Sequence, residues 1–289
     1  MANRIVAIDG IELATETFGD PSHPALLMIM GAGASMVWWD DGLCRRLADG
    51  GRRVIRYDHR DTGRSTCYEP GRPGYRSQDL VADAIAILDA YEISAAHVVG
   101  QSMGGALAQL LALQDPDRVA SLVLISTTLA VASERELPAP APSYLEFLST
   151  VAVDWSDPQS TVEYLVDHWR VLSATERPFE EGRVRELATR DVRRARNFAS
   201  SQNHSLLGGD EPQLGRVASI GAPTLVIHGS ADPLFPLEHG AALSQEIANA
   251  RLVTLDGAGH GLQSADWETV GRAILAHTDG DGPLSAAGG

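Results

Sequence analysis

Residues His97 to Gly105 read HVVGQSMGG, and this stretch is the part of the sequence that indicates the fold most clearly. A short apolar run leads directly into a Gly-x-Ser-x-Gly motif, and the motif opens a helical pattern that continues to Gln114. The motif is typical of a sharp turn between a buried strand and a helix, with its serine exposed at the end of the strand. The alternative is an ordinary turn in which Ser102 only caps the helix. Glycines on both sides favour the sharp turn, because side chains there would clash with the neighbouring strand and helix.

The same alternation of apolar strands and amphipathic helices extends outward from this motif in both directions. A hairpin is predicted from Arg4–Asp9 and Ile11–Phe18. Further strands are predicted at Ala25–Met30, Val54–Tyr57, Leu122–Ile125, Thr224–Ile227 and Arg251–Leu255. Helices are predicted at Ser77–Tyr91, Met103–Gln114, Leu237–Ile247 and about Ala265–His277. This order predicts an α/β fold with a mostly parallel central sheet and helices on both faces.

The alternation stops between residues 131 and 215, where only helical periodicity and a Pro-rich stretch are found. We interpret residues 131–215 as a helical cap inserted into a core domain formed by residues 1–130 and 216–278. The basic run Arg183–Arg196 within the cap is interpreted as a solvated helix face, because acidic residues alternate with the arginines. Residues 279–289 are rich in Gly, Asp and Ala and are predicted to be a disordered tail.

Composition excludes several classes of function. The 289 residues are 44% hydrophobic and 21% charged, which is typical of a soluble globular protein, and the net charge of -15 argues against nucleic-acid or membrane partners. All 23 basic residues are arginines, so Schiff-base chemistry and a P-loop lysine are excluded. Cys44 and Cys67 lack the spacing of a zinc or redox site. With no signal peptide or long apolar run visible, we predict a cytoplasmic protein and leave a homo-oligomer open.

Ser102 is the candidate nucleophile, and a serine hydroxyl needs a base that removes its proton. On this type of fold the acid and the histidine follow the nucleophile along the chain, each after a later strand. Asp232 and His260 occupy those two positions. Asp256 is the alternative acid, but it directly precedes the histidine loop and would reach the imidazole awkwardly. The sequence therefore predicts a catalytic set of Ser102, Asp232 and His260.

A serine nucleophile also requires backbone N–H groups that stabilise the oxyanion, and a pocket for the substrate. Met103 follows the nucleophile and Ala32 follows the strand Ala25–Met30, so their N–H groups are the two candidates. The glycines beside Ala32 also fit a plain tight turn. The candidate substrate-binding residues are aromatic, with core packing as the alternative for each. They are Trp38, Tyr144, Phe147 and Trp169, with Trp39, Trp155 and Phe179 as further candidates.

Taken together, these motifs resemble the α/β-hydrolase superfamily over about residues 4–277. The segment Tyr57–Ser65, YDHRDTGRS, resembles a structural turn of that family, which implies a bracing role and no catalytic role for Asp58, His59 and Arg60. The chain is more narrowly similar to the aclacinomycin methylesterase group, bacterial enzymes that remove a methyl ester from anthracycline polyketides. The stretches that carry this likeness are Ala25–Gly31, Arg45–Gly51, Val54–Thr66, Gly100–Gly104, Trp169–Ser173 and Pro178–Phe179.

The catalytic set and the resemblance imply a serine carboxylic-ester hydrolase that acts on a hydrophobic small molecule through an acyl-enzyme. A polyketide methyl ester is one such substrate, and neither a metal nor an organic cofactor is expected. Epoxide hydrolase and haloalkane dehalogenase reactions are excluded, because they need a carboxylate nucleophile. Lactonase, peptidase, C–C hydrolase and perhydrolase reactions on the same triad stay open. So do a catalytically silent ligand-binding protein and a cyclase or acyltransferase.

Overall fold

The computed structural model describes residues 2–131, 134–207 and 216–279. Within these ranges the chain forms the strands β1 (Ala2–Ile8), β2 (Ile11–Phe18), β3 (Ala25–Ile29), β4 (Arg53–Tyr57), β5 (Ala96–Gln101), β6 (Val119–Ile125), β7 (Thr224–Gly229) and β8 (Ala250–Leu255). They make one sheet in the order β1-β2-β4-β3-β5-β6-β7-β8. The β1–β2 and β2–β4 pairs are antiparallel and the other pairs are parallel. The predicted hairpin and mostly parallel sheet are confirmed.

Helices cover both faces of this sheet, as predicted. They are α1 (Asp41–Asp49), α2 (Ser77–Ala90), α3 (Met103–Gln114), α4 (Pro142–Thr150), α5 (Pro158–Leu172), α6 (Glu181–Arg194), α7 (Leu237–Glu246) and α8 (Trp267–Thr278). One hydrophobic core lies under α2, α3 and α7. The second lies under α1 and α8 on the opposite face, where Leu43 and Ile274 are buried. The apolar side chains of β3, β5 and β6 fill both cores, which explains why these strands contain consecutive apolar residues.

Helices α4 to α6 lie between β6 and β7 in the chain, where the strand–helix alternation stops. Helices α5 and α6 form a small apolar cluster of their own around Val162, Val166 and Ala188. The division into a core domain and a cap stays a prediction. Residues 132–133 and 208–215 of the predicted cap, and residues 280–289 of the predicted tail, lie outside the described residues. Asp279 is described, and its carboxylate forms an ion pair with Arg52.

Candidate active site

The turn that carries Ser102 is strained and tightly held. Strand β5 ends one residue before Ser102 and α3 begins one residue after it, which leaves Ser102 at φ 54° and ψ -122°. A positive φ is uncommon for a residue with a side chain and costs conformational energy. The Ser102 N–H donates to Ile125 O at 3.0 Å, and the Thr127 hydroxyl donates to Ser102 O at 2.7 Å. Bonds to the end of β6 and the residues after it therefore maintain the strained conformation.

The motif glycines are required by close backbone approaches on each side of this turn. A Cβ atom on Gly100 would lie 2.2 Å from Gly104 O, and a Cβ atom on Gly104 would lie 2.1 Å from Ile29 O. Neither contact is compatible with the observed packing of α3 against β3 and β5. The steric role predicted for these glycines is confirmed.

Asp232 and His260 form a buried hydrogen-bonded pair beyond the ends of β7 and β8. His260 Nδ1 lies 2.8 Å from Asp232 Oδ2, and both residues are only 4% exposed. Asp232 Oδ1 accepts the backbone N–H groups of Leu234 and Phe235, each at 2.9 Å. Burial would raise the pKa of Asp232, but His260 and the Phe235 N–H lower it below its ordinary value. The carboxylate is therefore held ionised against the imidazole.

The predicted nucleophile and base face the same cavity. Ser102 and His260 both line it, although among the described residues no hydrogen bond joins the Ser102 hydroxyl to the imidazole. Such bonds are often long before a substrate is bound. The histidine loop is fixed from two sides, because Gln101 Nε2 donates to His260 O at 3.2 Å and the His260 N–H donates to Leu172 O at 2.8 Å.

The two predicted oxyanion donors flank Ser102 on different segments. Ala32 lines the cavity, whereas Met103 is the first residue of α3 and does not line it. Among the hydrogen bonds of the described residues, neither the Ala32 N–H nor the Met103 N–H donates to a protein acceptor. Gly31 lies beside the nucleophile, since a Cβ atom there would be 3.2 Å from Ser102 Cβ. The assignment of these two N–H groups to the oxyanion stays a prediction.

The turn predicted to brace this region does so through its carboxylate. Asp58 accepts the N–H groups of Met36 and Arg64, each at 2.9 Å. It also accepts a 2.7 Å bond from Arg194 of α6, whose side chain is 9% exposed. The interpretation of Arg183–Arg196 as a solvated face is therefore wrong at Arg194, because this arginine neutralises a fully buried carboxylate.

The cavity has a volume of about 320 Å³, and its walls combine aromatic, aliphatic and polar side chains. Trp38, Tyr144 and Trp169 line it, and the rings of Trp38 and Trp169 stack with centroids 4.6 Å apart. Phe147 is a correction to the predicted set: it does not line the cavity, because its ring stacks on Tyr164 and His168 behind the wall. The three further candidates do not line the cavity either. Trp39 is buried in the core, and Trp155 packs on Tyr164 and Phe198. Phe179 contacts Arg170.

Several side chains of the site were missed by the sequence prediction. Tyr164, His168 and His204 line the cavity, and the Tyr144 hydroxyl lies 3.3 Å from His168 Nε2. Burial lowers the pKa of His168 to about 4, so its imidazole is neutral at pH 7. Asp191 accepts a 2.7 Å bond from Trp38 Nε1. In the sequence, only the aromatic character of α5 indicates Tyr164 and His168 as site residues. Nothing in the sequence near His204 or Asp191 indicates their roles.

Comparisons with known proteins agree with this geometry. A family model described as the alpha/beta hydrolase fold matches residues 24–265. The chain belongs to this family. It is 34% identical to rhodomycin D methylesterase DauP from Streptomyces sp. (strain C5) and 33% identical to rhodomycin D methylesterase DnrP from Streptomyces peucetius, over 96% of this chain and 98% of each relative. The crystal structure of a hydrolase from Pseudomonas aeruginosa PA01 matches with a TM-score of 0.71 and 29% identity, over 95% of this chain and 97% of that one.

These comparisons confirm the predicted family and the resemblance to methylesterases. Within the part of the chain that the structure describes, no cluster of three or more His, Cys, Asp or Glu residues could hold a metal ion. None of the described helices is long and apolar enough to cross a bilayer. The cytoplasmic location and the expected partners stay predictions.

Proposed function

We propose that this α/β-hydrolase cleaves a carboxylic ester of a hydrophobic small molecule, with a methyl ester of a polyketide as the best-supported substrate. The observation that carries the proposal is the strained turn that presents Ser102 to a cavity also lined by His260, whose Nδ1 lies 2.8 Å from buried Asp232. An acidic partner, an imidazole and an exposed hydroxyl in this order form the apparatus of acyl transfer. The two relatives named as rhodomycin D methylesterases support a methyl ester.

In the proposed reaction, His260 Nε2 takes the proton from the Ser102 hydroxyl while the serine oxygen attacks the ester carbonyl. The carbonyl oxygen becomes an oxyanion that accepts the N–H groups of Ala32 and Met103. Collapse of this intermediate breaks the bond to the alcohol oxygen, and His260 gives its proton to the departing alcohol. Water then attacks the acyl-serine, again with His260 as the base, and releases the acid. Asp232 stabilises the imidazolium in both halves of the reaction.

The cavity walls favour an acid component that is flat and largely apolar. Trp38 and Trp169 present stacked rings, and Tyr144, Tyr164 and Phe198 also line the same space. Aromatic walls gain free energy by burying a large apolar surface, and offset stacking selects planar groups. The cavity of about 320 Å³ lies at the lower end of the range of small-molecule sites. We further propose that helices α4 to α6 act as the cap that selects the substrate.

The test uses wild-type protein, the Ser102→Ala variant and two esters: p-nitrophenyl acetate and the methyl ester of a fused-ring aromatic acid. Wild type is expected to hydrolyse both, and in ¹⁸O-labelled water the label should enter the acid and not the methanol. Ser102→Ala should lose at least about a thousandfold in kcat. Ser205→Ala is the matched control, because this serine lines the same cavity with its hydroxyl bonded to Gln202 O.

The proposal is contradicted if wild type shows neither turnover of these esters nor labelling by a fluorophosphonate. It is equally contradicted if Ser102→Ala retains the activity of wild type. Preferential turnover of a lactone, with the same dependence on Ser102, would assign the apparatus to lactone hydrolysis instead.

A further inference from the structure

Residues Met30 to Gly33 form a short loop, here called the oxyanion loop. Two buried imidazoles from distant parts of the chain form hydrogen bonds to its backbone. His59 bonds Met30 at one end of the loop, and His204 bonds Gly33 at the other. Neither histidine touches Ser102, Asp232 or His260 through a hydrogen bond among the described residues. We propose that His204 is a positioning residue of the hydrolase, which holds the Ala32 N–H in place for the oxyanion. This inference rests on the function proposed above.

Hydrogen-bond partners determine where the proton of each imidazole lies. The Gly33 N–H can only donate, so His204 Nδ1 accepts it at 2.9 Å, and His204 Nε2 must then donate to Arg60 O at 2.9 Å. His59 Nε2 donates to Met30 O at 3.0 Å, because a carbonyl oxygen can only accept a hydrogen bond. His204 works in this way only in the neutral form, because a protonated His204 would point an N–H at the Gly33 N–H.

The two hydrogen bonds to the oxyanion loop lie on either side of the Ala32 N–H along the backbone. Met30 O belongs to the peptide before Gly31, and the Gly33 N–H belongs to the peptide after Ala32. Between them stands the Gly31–Ala32 peptide, which carries the candidate oxyanion donor. The position of the Ala32 N–H therefore follows the positions of the two imidazoles. Gly33 has φ +70°, a conformation that side chains rarely adopt, so the loop gains little rigidity from its own sequence.

His204 is itself firmly placed, although it comes from the segment between α6 and β7. The Ser200 hydroxyl donates to Tyr68 O at 2.6 Å, and Asn203 Nδ2 donates to Asp61 Oδ2 at 2.9 Å. The His204 side chain is 4% exposed and faces His59, Tyr75 and Asp61. Burial lowers the pKa of His204, against the opposing effects of Arg60 O and the Asp61 carboxylate. The ring is thus neutral, as its bond to Gly33 requires.

Three substitutions of His204 separate its two bonds. His204→Asn can keep an acceptor near the place of Nδ1, His204→Gln can keep a donor near the place of Nε2, and His204→Phe removes both at similar size. With p-nitrophenyl acetate, the Phe and Gln variants should lose about 10- to 100-fold in kcat, with KM within about threefold of wild type, because a displaced oxyanion donor acts only in the transition state. The Asn variant should recover most of the rate. Active-site titration corrects each value for unfolded protein.

Amide hydrogen exchange of residues 30–34 provides a readout that does not depend on activity. Exchange there should be faster in the Phe and Gln variants than in wild type and in His204→Asn. His277→Phe is the matched control, because this imidazole also bonds backbone carbonyls, of Leu122 and Pro223, at the other end of the strands. It should keep the wild-type kcat.

The inference is overturned if His204→Phe keeps the wild-type kcat, if His204→Asn and His204→Gln lose activity equally, or if exchange of the oxyanion loop is unchanged. A wild-type protein without esterase activity would contradict the proposed function instead, and the exchange measurement would still decide whether His204 holds the loop.

Discussion

At the scale of single residues, the Asp232 carboxylate determines which nitrogen of His260 carries the proton. Its Oδ1 already accepts two backbone N–H groups, so only Oδ2 is left to face His260 Nδ1. A carboxylate oxygen accepts hydrogen bonds and cannot donate one, which places the proton on Nδ1 and leaves Nε2 ready for the Ser102 proton. The orientation of the base is therefore encoded in the short turn from Asp232 to Phe235.

Asp232→Asn is expected to reverse this tautomer. The asparagine oxygen would stay with the two N–H groups and turn the amide NH₂ toward His260, which forces the proton onto Nε2. We expect kcat to fall by about 10⁴-fold with the fold intact, measured with p-nitrophenyl acetate and circular dichroism. Asp256→Asn, which changes the alternative acid, should remain active. A loss in Asp256→Asn with full activity in Asp232→Asn would show that the acid is wrongly assigned.

The candidate set of Ser102, Asp232 and His260 could be placed at one edge of the sheet from the sequence, because each lies at the end of a strand or in the loop that follows it, and parallel strands bring their carboxyl ends to the same edge. Phe147 shows where this reasoning ends. Its periodicity places it on a helix, but the direction of that helix relative to the cavity depends on contacts with Tyr164 and His168. His204 is 171 positions from Gly33, whose N–H it accepts, and no local sequence pattern predicts a hydrogen bond between residues so far apart in the chain.

At the scale of elements, the packing of α3 against β3 and β5 depends on the absence of a side chain at Gly104. We expect Gly104→Ala to lower the free energy of unfolding by at least about 2 kcal/mol, because the added methyl group would meet the Ile29 carbonyl at 2.1 Å. Urea denaturation measures this change. Gly182→Ala on α6 is the matched control, since nothing lies within 4 Å of the added atom, and it should stabilise the protein by roughly 0.5 to 1 kcal/mol. Equal effects of the two substitutions would contradict the packing argument.

Elements of the sheet were easier to predict than the arrangement of the helices above it. Unbroken apolar runs predict buried strands, and the observed β5 and β6 contain the predicted segments with a few further residues at their ends. Helix α6 has an ordinary amphipathic charge pattern. Its Arg194 nevertheless forms an ion pair with Asp58, and its Asp191 accepts a hydrogen bond from Trp38. Those partners belong to loops after other strands, so the sequence of α6 alone cannot identify them.

At the scale of the whole molecule, buried Asp191 links stability to pH. Burial raises the pKa of Asp191 to about 6, while hydrogen bonding to Ser35 and Trp38 and the charge of Arg194 oppose this shift and the charge of Asp58 adds to it. The folded state therefore binds a proton more tightly than the unfolded state, whose carboxyl has a pKa of 3.8. This contribution to the free energy of unfolding is present below about pH 4 and is lost as the pH rises to about 6.

Asp191→Asn is expected to remove this dependence. A shift from 3.8 to about 6 corresponds to roughly 3 kcal/mol. The free energy of unfolding of the variant, relative to wild type, should therefore rise by about that amount between pH 4 and pH 7 in urea titrations. Asp167→Asn, on the exposed side of α5, serves as the control. A constant difference between Asp191→Asn and wild type across this range would show that Asp191 titrates normally.

The central claim is that Ser102 forms an acyl-enzyme, and trapping that intermediate tests it most directly. Wild-type protein is mixed with p-nitrophenyl acetate, quenched in acid within milliseconds and analysed by intact mass and peptide mapping. We predict one added acetyl group on the peptide that contains Ser102, its decay as acetate is released, and no such group in Ser102→Ala. An acetyl group on another residue, or turnover without any acetylated protein, would contradict the account.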